Sequence, residues 1–304
     1  MTPSRRAGYR LLGPHFDYLL HTRPAEWPIM AAHTLMGYLL AVELGGVWRG
    51  ERLGVALLGL ALWVICLNGG TLALNSAFDR DEGDIAYLRR PPPPPRYLAG
   101  VALALMLLGL LGAFALPAGY RVAYAVCLVL SVLYSVPPFR LKAVPGADWI
   151  INMWGFGTLS PYAGWAATGL PLPPAQGLVL LGFCPLFAGL YPLTQIYQFE
   201  EDARRGDRTL ARSLGIKRSL WVSLGAVAVG FGLFAVAGWR TGWGLGDSWR
   251  WWALGISAGA WAALLLRWLR RHRHMTARDH QRGMYQALGV WALTDLAVVL
   301  AWAA

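Results

Sequence analysis

Nine stretches of this chain are apolar over lengths that approach or exceed a bilayer crossing: residues 29–48, 53–78, 97–116, 121–137, 147–168, 175–199, 218–239, 250–268 and 283–303. A membrane helix needs about 20 mainly apolar residues. Backbone inside lipid must satisfy its own hydrogen bonds, which a helix does within one segment. The repeated runs therefore predict an all-α membrane protein, a bundle of nine transmembrane helices. The 121–137 run is short, and the 147–168 run is expected to break at Pro161. Short connections predict antiparallel neighbours. Residues 1–28 are polar and basic, with Arg5, Arg6 and Arg10, and are read as a cytoplasmic or interfacial arm; residues 29–304 form the bundle domain.

Charge placement orients the bundle. Hydrophobic residues make up 56% of the chain and charged residues 14%, more apolar than a soluble domain. A net charge of +11 would in a soluble protein point to nucleic acid. Here the basic residues lie in segments between apolar runs, so no nucleic-acid partner is expected. With a cytoplasmic N-terminus, only Arg49, Arg52, Arg121, Arg240 and Arg250 of the 27 Lys and Arg fall outside. That is the positive-inside pattern. Trp27, Trp149, Trp239, Trp249 and Trp268 mark run ends as interfacial anchors. Cys66, Cys127 and Cys184 sit within apolar runs without disulfide or zinc spacing.

Two acidic stretches close apolar runs. The first, 75–96, holds Asn75, Asp79, Asp81, Glu82 and Asp84, then Arg89, Arg90, five prolines and Arg96. Asn75 and Asp79 are four apart and share one helix face. Hard oxygen donors gathered this way suit Mg²⁺, which takes one or two carboxylates and completes its shell with substrate phosphates. The second, 191–210, holds Gln195, Gln198 and Asp202 at i, i+3 and i+7, one stripe of a helix, with Glu200 and Glu201 beside them. The bland alternative is a pair of solvated loops with arginine counter-ions.

Together the stretches have the parts needed to ionise an allylic diphosphate. Asn75, Asp79, Asp84 and Asp202 are the candidate catalytic oxygen ligands. Arg89, Arg90, Arg140, Lys142 and Arg208 are candidate phosphate-binding cations. Departing diphosphate needs electrostatic stabilisation, a Lewis acid lowers the barrier further, and the carbocation needs a dry cavity with aromatic faces.

These residues carry a family resemblance. The chain resembles the intramembrane aromatic prenyltransferases of the UbiA, 4-hydroxybenzoate polyprenyltransferase type, over most of its length. The family's first motif is Asn-x-x-x-Asp-x-x-x-Asp followed by Arg-Pro. Asn75, Asp79 and Arg90-Pro91 match, but Gly83 stands at the third ligand position, leaving Asp81 or Asp84 to take that role. The second is Asp-x-x-x-Asp-x-x-x-Gly. Asp202, Gly206 and Thr209-Leu210 match, while Gln198 replaces the first Asp and Gln195 a carboxylate upstream. Glu201 is the neighbour able to replace lost charge. Tyr134-Ser-Val-Pro-Pro-Phe-Arg140-Leu-Lys142 matches a third segment, and Arg23-Pro with Trp27-Pro a fourth. The resemblance implies nine helices around a central cavity with a cytoplasmic polar cap. It also implies Mg²⁺-dependent transfer of a prenyl group from an isoprenyl diphosphate to an aromatic or other lipophilic acceptor. Arg23, Tyr134 and Gln195 join the substrate-binding set on this ground, and Asp81, Gln198 and Glu201 the metal set. The altered second motif keeps two other readings in view, a terpene cyclase and a non-catalytic membrane protein on the same scaffold.

Other polar groups lie within apolar runs. Glu43 and Asp295 are read as pairing between helices or at the outer leaflet, and His33 as either packed or facing the cavity. Asn68 and Asn152 are candidate cavity-lining groups, and Asp148 is either a helix-start residue or a ligand.

Overall fold

The computed structural model describes residues 3–47, 50–79, 88, 90–206 and 208–304, apart from the side chains of residues 50–52, 201, 205 and 245. Regular structure among these is helical, beyond an isolated bridge at Leu88. We label the helices α1 Pro3–Leu12, α2 Phe16–His21, α3 Trp27–Val42, α4 Leu53–Asp79, α5 Leu98–Ala113, α6 Ala118–Ser135 and α7 residues 147–166. There follow α8 Pro174–Gln195, α9 Phe199–Arg205, α10 Leu210–Leu214, α11 Ile216–Arg240, α12 Ser248–Arg271 and α13 Ala277–Ala303. Six helices among the described residues are long and apolar enough to cross a membrane, namely α4, α6, α8 (extended to Gln198), α11, α12 (extended to His274) and α13. The apolar helices α3 and α5 are shorter. The chain is thus an all-helical integral membrane protein in which six of the nine expected runs reach full spanning length.

The helix starts follow local chemistry. Pro28 and Pro174 occupy first-turn positions, where a missing N–H costs no helical bond. Thr276 and Asp279 form a reciprocal capping box at the start of α13. Pro161 likewise sits in the first turn of Ser160–Ala166. The interruption of α7 lies just before it, where Met153–Leu159 winds as a π-helix. A second π-helical stretch, Leu62–Asn68, interrupts α4.

Lipid-facing residues confirm the solvent this bundle is built for. Leu108 and Leu111 on α5 are 64% and 66% exposed. In lipid a buried leucine gains nothing over a lipid-facing one, so helix association rests on close packing. Gly37 on α3 and Gly164 on α7 show how: a Cβ at either would run into the backbone of Pro161 or Thr34. Two packed clusters result. One gathers α4, α5 and α6 around Trp63, Leu74, Met106 and Tyr124; the other gathers α8, α11, α12 and α13 around Phe183, Phe234, Trp261 and Trp268. His33 on α3 bonds Asp295 on α13 at 2.9 Å, so Asp295 pairs between helices. The arm folds over one end of the bundle. Arg5 Nη1 donates to Arg90 O at 3.0 Å, and His21 Nε2 bonds Pro92 O at 3.1 Å.

Candidate active site

The alternating helices bring the C-terminal ends of α4, α6 and α8 and the N-terminal end of α3 to one end of the bundle. A cavity of about 380 Å³ opens there, within the range of small-molecule sites. Its lining includes Asn75 and Asp79 from the first acidic stretch and Gln198 and Asp202 from the second.

The first half is an oxygen pair closed on a cation. Lys142 Nζ donates to Asn75 Oδ1 at 2.7 Å and to Asp79 Oδ1. Arg140 Nη2 reaches Asp79 Oδ1 at 3.4 Å, and Ser135 Oγ reaches Asn75 Oδ1 at the same distance. The local backbone arranges this. Arg140 adopts a left-handed conformation, φ +37°, before the short turn Leu141–Ala143. That turn brings Lys142 back under α4, where it is buried. Burying an ammonium is costly unless it is paired, and Asp79 pairs it.

The second half is held by bonds within the protein. Helix α8 ends at Gln195, a 3-10 turn covers Ile196–Gln198, and α9 starts anew at Phe199. Gly206, φ +74°, closes α9 in the left-handed conformation that favours glycine. The chain then doubles back, and Thr209 Oγ1 donates to Asp202 Oδ2 at 3.2 Å. Beneath it lies a buried polar hub. Asp148 Oδ2 accepts from Gln195 Nε2 at 2.8 Å and Leu210 N at 3.2 Å, and its Oδ1 accepts from Gly146 N at 2.9 Å. Gln195 Oε1 in turn accepts from Ala211 N at 3.1 Å. Both ends of the Gln195 amide are therefore engaged. Gln198 is differently placed: its Nε2 donates to Tyr197 OH at 3.1 Å, and both side chains line the cavity.

Arg23 closes the cavity from a third side. It is 7% exposed, in a left-handed conformation with φ +51°, strain of the kind found at functional positions. Its Nη1 lies 3.6 Å from Glu26 Oε1, while Nε and Nη2 are buried with no hydrogen-bond partner among the described residues. Buried donors of this kind call for a ligand or water. Burial pushes the Glu26 carboxyl up against the opposing pull of Arg23. Deeper, the walls become aromatic, with Trp63, Phe156, Phe187 and Trp291, and Tyr134 OH and Tyr191 OH meet at 2.8 Å. The two π-helical stretches are linked here through Ser160: Trp63 Nε1 of the first donates to Ser160 Oγ at 3.2 Å, and Ser160 Oγ donates to Gly155 O of the second at 2.9 Å. π-Helical turns recur at functional sites.

Other sequence candidates fall elsewhere. Asp81, Asp84 and Arg89 lie outside the described residues, as does the Glu201 side chain. Arg90 and Arg208 are exposed and are not among the residues that line the cavity. Among the described residues no three His, Cys, Asp or Glu side chains converge to hold a metal. Asn68, Asn152 and His33 do line the cavity. The Asp148 hub and the Trp63–Ser160 contact escaped sequence reasoning. A lone Asp after Pro145-Gly146 was the one available signal for the hub, and nothing local marks the contact.

Comparison with known proteins agrees with this geometry. Residues 30–291 match the UbiA prenyltransferase family. A lycopene elongase/hydratase of Haloferax volcanii is 29% identical over 217 residues, covering 69% of this chain and 69% of that protein. A chloroplastic chlorophyll synthase of Arabidopsis thaliana is 27% identical over 227 residues, 68% of this chain but 56% of that one. Among solved structures, a UbiA homologue from Archaeoglobus fulgidus bound to GPP and Mg²⁺ superposes with a TM-score of 0.65 at 19% identity, covering 93% of this chain and 99% of that one. A digeranylgeranylglyceryl phosphate synthase gives a TM-score of 0.67 at 14% identity, over 94% and 97% of the two chains. The chain belongs to the UbiA prenyltransferase family and is a membrane-embedded enzyme of the prenyltransferase class.

Proposed function

We propose that this chain transfers a prenyl group from an isoprenyl diphosphate to a lipophilic acceptor, with Asn75, Asp79, Gln198 and Asp202 gripping a magnesium diphosphate head. The observation that carries this is the presence of both Asp79 and Asp202 on the wall of one cavity whose deeper part is aromatic. The donor set fits Mg²⁺, because Asn75 Oδ1 and Asp79 Oδ1 are hard oxygens already gathered around a cation, the Lys142 ammonium. Once bound there, Mg²⁺ would supply Lewis-acid stabilisation of the departing diphosphate.

The remaining steps belong to the chain's own groups. Lys142, Arg140 and Arg23 provide cationic donors for the diphosphate oxygens, and the Nε and Nη2 of Arg23, without a partner among the described residues, are poised for them. Positioned donors of this kind stabilise charge as it develops. The aromatic wall surrounds the prenyl chain and keeps water from the carbocation. Gln195 and Asp148 position the loop that carries Asp202. The site end faces the cytoplasm under the positive-inside reading, with α1 and α2 as part of its cap. The test is detergent-purified chain supplied with GPP and a membrane-lipid extract, with and without Mg²⁺. Mg²⁺-dependent diphosphate release with a new prenylated lipid is expected. A cyclic hydrocarbon formed without acceptor would favour the cyclase reading. No Mg²⁺-dependent binding or turnover of GPP would end the enzymatic reading.

A further inference from the structure

We propose that the groove between α12 and α13, at the same end of the bundle as the cavity, binds the headgroup of an anionic phospholipid. Arg267 and Arg271, one turn apart on α12, line it together with Arg282 on α13 and His274 from the turn between them. The space they enclose measures about 650 Å³. Arg270, Arg273 and Arg278 lie close in sequence yet are not among the described residues that line it. Positive-inside placement accounts for basic residues in this turn; it does not account for three guanidinium groups converging on one groove.

The floor is built for an amphipathic ligand. Trp268 lies across Gly283, where a Cβ would come within 2.8 Å of the indole. Its Nε1 donates to His280 Nδ1 at 2.8 Å, which fixes the ring. Leu264 and Met275 extend the apolar surface. The acidic group among the described lining residues, Asp279, is already engaged. Its Oδ2 accepts from Thr276 N and Oγ1 at 3.0 and 2.7 Å, and its Oδ1 stands 3.7 Å from Arg282. Among the described residues Arg267 and Arg271 have no such counter-ion. Guanidinium forks match phosphodiester oxygens, and basic pockets between membrane helices at the interface hold acidic headgroups. A lipid seated here keeps its acyl chains in the hydrocarbon while its phosphate reaches the arginines, an arrangement a free anion cannot use. The opposite face of the same turns of α13 carries Met284 and Leu288 to the cavity wall, so the lipid would brace a helix of the proposed active site. The inference itself stands without the catalytic reading.

Native mass spectrometry of the full chain, titrated with phosphatidylglycerol, phosphatidylcholine or inorganic phosphate, tests it. Phosphatidylglycerol is expected to bind roughly tenfold or more tightly than phosphatidylcholine. The R267Q/R271Q/R282Q variant should lose that preference, whereas R6Q/R10Q on the arm should keep it. An unchanged preference in the first variant, equal binding of both lipids, or displacement of phosphatidylglycerol by millimolar inorganic phosphate would each overturn the proposal. Should the triple variant fail to fold, a photoactivatable phosphatidylglycerol on the unaltered chain decides: labelling within residues 264–286 supports the site, and labelling elsewhere removes it.

Discussion

The two halves of the cavity mouth are held in opposite ways. Asn75 and Asp79 are restrained by cations from another segment, Lys142 and Arg140. Asp202 is restrained from beneath, through Thr209 and a loop that hangs on Asp148 and Gln195. The first half is held by ion pairing; the second is held by hydrogen bonds from the polypeptide beneath it. A carboxylate facing mobile cations can exchange partners as ligand arrives. Asp202, which accepts from Thr209 beside a loop fixed through its backbone N–H groups, keeps its place instead.

Substitutions can break this contrast. Asp79→Ala removes the carboxylate that both cations converge on. Diphosphate turnover is expected to fall on the order of 10³-fold, read as pyrophosphate release; near-normal release would remove Asp79 from the site. Lys142→Gln keeps a hydrogen-bond donor but not the charge. A loss of roughly 10²-fold in kcat is expected, with the variant melting close to the parent. Asp148→Ala should do the reverse. It strands the Gln195 amide and the Leu210 and Gly146 N–H groups, at a cost of about 3 kcal/mol, seen as a lower melting temperature in detergent. If its melting is unchanged while turnover collapses, Asp148 belongs to the first kind of group rather than the second.

The glutamines sharpen the comparison further. Gln195→Glu places a second carboxylate against that of Asp148 and should destabilise the protein without improving metal affinity. Gln198→Glu restores a negative charge on the cavity wall and should tighten Mg²⁺ binding about twofold to fivefold, in proportion to the ordinary worth of a close charge pair. Equal behaviour of the two variants in a Mg²⁺ titration would mean that the hub residue and the wall residue do not differ as described.

Much of this was legible in the sequence because it is periodic. The i, i+4 spacing of Asn75 and Asp79 survives in α4, and both residues line the cavity. The i, i+3, i+7 stripe of Gln195, Gln198 and Asp202 presumes one continuous helix, and the chain there changes winding twice. All three side chains still line the cavity, and the Gln195 amide also bonds Asp148, 47 residues away, a contact no local pattern encodes. The same limit hid the His33–Asp295 pair, 262 residues apart. Spanning runs were read from length and apolarity, but α3 and α5 come out shorter than their runs. Helix α3 stops where Glu43 adopts φ +58°, and the run of α5 ends in turns ahead of Pro117.

The π-helical stretch Leu62–Asn68 stores one residue more than a regular turn would need. Asn75 and Asp79 lie downstream of it on the same helix. Loss of one residue there would let α4 return to ordinary winding with the downstream face kept, whereas gain or loss of one residue in the regular turns between Gly69 and Asn75 would turn Asn75 and Asp79 by about 100° around the axis. The oxygen pair would then face lipid or a neighbouring helix although neither residue had been touched. The π-helical segment is thus a place where the chain tolerates a change of length that the turns after it do not.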